Sequence, residues 1–71
     1  ANALRQAGDA YTNIGQHAAA AEYYYRGASS LIAQKDVARA REMLELAQSA
    51  AEAAGDALII KRVDQLQHNV Q

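Results

Sequence analysis

AEYYYRGAS, residues 21–29, puts three consecutive tyrosines into a chain that has only one other, Tyr11, and neither tryptophan nor phenylalanine. Successive residues of a helix turn by about 100°, so the triplet sweeps about 200° and cannot face one neighbour or one ligand. Tyr24 shares a line with Ala20, Gly27 and Leu31, and Tyr25 shares an adjoining one with Ala21, Ala28 and Ile32. The segment reads as a helix packed between two partners, Tyr24 toward the first helix and Tyr25 toward the third, with Glu22, Arg26, Ser29 and Ser30 toward solvent and the edges. Tyr23, in line with Ala19, Arg26 and Ser30, is expected to be exposed and is a candidate contact for a partner.

The surrounding sequence is helical throughout. Proline is absent, strong helix formers dominate, and no β-branched residues alternate long enough for a strand. Three breaks stand out: NIGQ at 13–16, QKD at 34–36 and AGD at 54–56. They predict an all-α fold of four helices, at roughly 2–13, 17–34, 36–54 and 56–70, in one domain spanning the chain. Asn13 with Gly15, and then Gly55, suit left-handed helix ends, while Asp36 and Asp56 suit N-caps. Short connections make neighbouring helices antiparallel. In the third helix Val37, Ala40, Leu44, Ala47, Ala51 and Ala54 form one line, adjoined by Met43, Leu46, Ala50 and Ala53. The fourth carries Ile59, Ile60, Val63, Leu66 and Val70.

Residues 4–27 show a more specific pattern: L-x-x-A-G-x-x-Y, a turn with Gly15, then A-x-x-x-Y-x-x-G. It resembles the tetratricopeptide repeat, W-x-x-L-G-x-x-Y followed by an alanine and an aromatic four residues on. Leu4, Gly8, Tyr11, Ala20 and Tyr24 match in type and spacing. Ala7 stands where the family has leucine, and Ile32 near where it has its closing proline. Gly8 and Ala20 are small where two helices cross closely, and Tyr11 and Tyr24 fill the wedge beside them. The second half does not restate the first after about 34 residues, because Ala38, Arg41, Glu42 and Glu45 fall on the wrong positions. A shift of twenty does better: Tyr24, Gly27, Ala28 and Leu31, then Ala40, Leu44 and Ala47, reproduce the same spacing, with helix two as the first helix of a second pair with helix three. Residues 35–56 look like the long second helices of tetratricopeptide-like arrays, including those similar to vesicle-fusion adaptors. The resemblance implies a fragment of an α-solenoid; the alternative is an unrelated four-helix bundle.

Seven Lys and Arg against eight Asp and Glu give a net charge of -1, without the basic stripe of a nucleic-acid binder. No apolar run reaches the roughly 18 residues that span a bilayer, so a soluble chain without membrane insertion is expected. The lack of cysteine fits the cytosol, and a cytoplasmic location is the expectation. The ends fit a fragment, a processed product or a complete small protein alike.

No constellation suggests catalysis, a cofactor or a metal. His17 and His68 lack the spacing of paired ligands. Glu42 and Glu45, at i and i+3, lack the Glu-x-x-His of a di-metal bundle. Ser29, Ser30 and Ser49 lie inside helices, without the turn that exposes a nucleophile. The chain is expected not to be an enzyme. The resemblance implies a protein-protein interaction module that binds a partner protein or peptide through the first helix of each pair. The candidate residues are Asn2, Arg5, Gln6, Asp9, Thr12 and Asn13, off the packing line of helix one, together with Tyr23. Arg5 suits a clamp for a terminal carboxylate, but Asp9 stands where that clamp has asparagine. The alternative is an architectural segment that self-associates or packs within a larger protein.

Overall fold

A computed structural model describes residues 2–69, with side chains from residue 3 onward. Among them are four helices and no strand: α1 Asn2–Asn13, α2 His17–Ala33, α3 Val37–Ala54 and α4 Ala57–Asn69. Each begins or ends within one residue of the expected bound. Val70, the last residue of the expected fourth stripe, lies outside the described residues.

The three turns are built alike. Gly15, Lys35 and Gly55, twenty residues apart, adopt left-handed backbone with φ of 79°, 63° and 68°. The next amide in each reaches back five residues: Gln16 to the Tyr11 carbonyl at 2.8 Å, Asp36 to Leu31 at 2.8 Å and Asp56 to Ala51 at 3.3 Å. These are Schellman closures, which satisfy carbonyls that the helix end leaves free. Asp36 and Asp56 then cap the following helices, accepting from the amides of Arg39 at 3.3 Å and of Leu58 at 3.1 Å. Glycine adopts this conformation at no steric cost; Lys35 does so against the preference of an L-residue.

The same twenty-residue step runs through the packing. Leu4, Tyr24 and Leu44 correspond, as do Ala7, Gly27 and Ala47, and Tyr11, Leu31 and Ala51; each is buried or half-buried. The correspondence stops in α4, where Asp64 is exposed and Val63, one residue earlier, is the helix's buried side chain.

The core is small-residue rich: Ala20, Ala21, Ala28, Ala40, Ala47 and Ala51 have no exposed surface, with Tyr24, Leu31, Met43, Leu44 and Val63 filling between them. α2 lies at the centre, packed on α1 and α3 and touching α4. The outer helices α1 and α4 make no comparable contact, and the molecule measures 31 × 24 × 13 Å. The helices therefore form a flat, open layer and do not close into a ring.

The tyrosines divide, though not wholly as their lines suggest. Tyr24 is 3% exposed and lies over Gly8, where a Cβ would stand 2.5 Å from its ring. Gly27 does the same for α1 and α3, since a Cβ there would strike Met43 Cε and meet Leu4. Tyr23, expected to be exposed, is half-buried. Its ring stacks on Tyr11 with centroids 5.3 Å apart, and the Arg26 guanidinium lies over it at 5.7 Å. The phenol is large enough to reach across the α1–α2 crossing from a line at the edge of the seam, where Ala19 and Ser30 are half-buried and Arg26 is exposed. Tyr25, expected against the third helix, is half-buried beside Leu58, Ile59 and Arg62 of α4.

Candidate partner-binding groove

Because α1 and α3 both pack on α2, a channel remains between them with α2 as its floor. Thr12 from α1, His17 and Tyr24 from α2, and Leu46, Ser49 and Ala53 from α3 line a shallow groove of about 150 Å³. Small-molecule pockets run to about 300–1,000 Å³, so this one has the size for a single side chain of a partner. Its walls are chiefly apolar.

The floor is held by polar contacts. The Tyr24 hydroxyl donates to the Asp9 carboxylate, and the Thr12 hydroxyl donates to the Gly8 carbonyl at 2.9 Å. Burial raises the pKa of Tyr24 above the ordinary phenol value, and the bond to Asp9 raises it further. The phenol remains a neutral donor, and Asp9 remains an acceptor at the groove's edge.

Of the candidate residues, Thr12 lines this groove and Asp9 adjoins it through the Tyr24 hydroxyl, with Arg5 one turn before Asp9 on the same side of α1. Asn13, one turn after Asp9 on that side, and Gln6 are exposed. Tyr23 stands on the other edge of the α1–α2 seam, against Tyr11. The side chain of Asn2 lies outside the described residues. The α3 wall was not among the candidates. Leu46, Ser49 and Ala53 lie three and four apart, but that spacing reads equally as core, and only the exposure of Ser49 and Ala53 separates wall from core.

A second cleft, about 210 Å³, lies on the other side of α2 between Glu22, Tyr25, Leu58, Ile59 and Arg62, beside Asp56. Asp56 is committed to capping α4, and Glu22 pairs with Arg26 at 2.8 Å. Among the described residues no three His, Cys, Asp or Glu side chains converge on a metal position, and no helix is long and apolar enough to cross a membrane. No family model, curated protein or solved structure matches the chain.

Proposed function

We propose that this chain is a protein-interaction module of the helical-repeat type, which takes a peptide segment of a partner protein into the groove between α1 and α3. The observation that carries the reading is the groove itself: three helices contribute one apolar, side-chain-sized channel whose floor is pinned by Gly8, Tyr24 and Asp9. Channels between helices are common binding sites, and an extended concave surface is what stacked helical repeats offer partners. The Gly8–Tyr24 seam matches the tetratricopeptide pattern. The step of twenty residues per helix makes a two-helix unit of forty, longer than that family's 34. Catalysis forms no part of the reading: His17 starts α2 and His68 ends α4, at opposite ends of the layer.

The architectural alternative rests on Leu58 and Ile14, 61% and 70% exposed. Against it, the chain exposes 4452 Å², close to the roughly 4,300 Å² expected of a compact monomer of 7.6 kDa.

The test is selection of displayed random peptides on the folded chain. Binders are expected that are lost on the variant Ser49→Gln/Ala53→Gln, which fills the groove without changing charge or helix propensity much. Selected peptides indifferent to that variant would overturn the assignment of the groove.

A further inference from the structure

The charges of this chain are segregated along its helices. Residues 6–25 and 42–60 contain no Lys or Arg, yet hold Asp9, Glu22, Glu42, Glu45, Glu52 and Asp56, six of the eight acidic residues. The fold brings these two stretches together at the end of the layer where α1 and α3 finish and α2 begins.

The groove lies toward that end. Beside its α1 wall stands the exposed Asp9 carboxylate, which receives the Tyr24 hydroxyl. On the α3 wall, Glu45 lies one turn before Ser49 and Glu52 lies three residues after it, so both edge the lining residues. Both are exposed. His17, half-buried, is the titratable group on the floor beside Tyr24. Arg5 stands one turn before Asp9 and close enough to act on the Tyr24 phenol; Arg41 stands one turn before Glu45, toward the start of α3, with Glu42 beside it. Arg62 borders the Tyr25 cleft on the other side of α2. The apolar channel is therefore bordered by carboxylates on both sides, Asp9 by α1 and Glu45 and Glu52 by α3, and no Lys or Arg is among its lining residues.

Resting on the peptide-binding reading above, we infer that the groove's occupant is a short cationic peptide segment: one apolar side chain seated over Tyr24, flanked by Lys or Arg that meet Asp9, Glu45 and Glu52. Burial of the apolar residue supplies affinity. The flanking charges supply selectivity and speed of encounter, since like charges placed against these walls repel. An acidic segment would set its carboxylates against three others.

The experiment uses the intact chain and a library of nine-residue peptides with a central leucine and four random positions on either side. Enrichment of Lys and Arg at the flanks is expected. A selected peptide should bind at least about tenfold more tightly than its isomer with Glu at those positions and weaken as salt is raised. The variant Glu45→Gln/Glu52→Gln, exposed and outside the core, should erase most of that preference while circular dichroism and melting stay unchanged. Binders lost on the groove-filling variant but enriched in neutral or acidic flanks would overturn the cationic occupant and leave the groove as a peptide site. If no binder responds to the groove-filling variant, the site itself falls, and the occupant with it.

Discussion

The α1–α2 seam and the α3–α4 seam join antiparallel helices through nearly the same turn, yet they are held by different means. The first closes with a glycine under an aromatic ring, a phenol-to-carboxylate hydrogen bond and a stacked tyrosine pair. The second has Val63 as its buried α4 side chain, 1% exposed, half-buried Ile59, Ile60 and Leu66 around it, and a surface bond from Gln67 to Gln48 at 3.0 Å. A shared turn geometry therefore does not make an equal interface. What differs is side-chain volume at the crossing and whether the helix keeps the twenty-residue register, which α4 loses by one residue.

The comparison can be broken first at Tyr24. Tyr24→Ala removes the buried tyrosine of the first seam and should cost about 3–5 kcal/mol, most of the stability of a domain this size. Urea denaturation measures it. A loss below about 1 kcal/mol, typical of surface positions, would mean that the seam is not organised around this ring.

The two packing glycines provide a subtler contrast. Gly8→Ala drives a Cβ into the Tyr24 ring, which is fixed on both sides, and should cost about 1–3 kcal/mol. Gly27→Ala meets the end of a flexible Met43 side chain, and the gain in helix propensity, about 0.5–1 kcal/mol, offsets the displacement. Near-equal losses in the two melting curves would refute this ranking.

Capping distinguishes the seams locally. Asp56→Ala should cost about 1 kcal/mol and speed hydrogen exchange chiefly in α4, the helix it caps, whose one buried side chain is Val63. Uniform acceleration across all four helices would show that α4 unfolds only with the rest.

Alkaline titration probes the first seam alone. Tyr24 has a raised pKa in the folded chain, so the unfolded chain loses this proton first and stability falls as pH rises above the ordinary tyrosine value of about 10. Below that pH the contribution is fully present. Tyr24→Phe should flatten the dependence; an unchanged slope would assign it to other groups.

The central turn lies between the two seams and predicts the smallest effect, a gain. Lys35→Gly gives the left-handed position the residue its two counterparts already have, and should stabilise the chain by up to about 1 kcal/mol. A loss would show that the lysine side chain makes a contact worth more than its backbone strain.

Helix number, the turn positions and both seams of α2 were legible in the sequence, because apolar residues at spacings of three and four and glycine or aspartate at the breaks act locally. Gly8 beneath Tyr24 was legible for the same reason. The left-handed Lys35 was not, since nothing in QKD marks a positive φ; the Schellman closure imposes it. The pairing of Tyr23 with Tyr11 was missed because a helical line records direction, not the reach of a long side chain.

By itself the sequence determined that this is an all-α chain of four short-linked helices with its charges in blocks. Only the tertiary structure decided that α1 and α3 leave a channel over α2, that Asp9 anchors its floor, and that Ser49 and Ala53 are wall and not core. The reason is physical: periodicity fixes which residues share a face, but the depth at which a face is covered depends on the neighbour's volume, and that is set between helices and not along them.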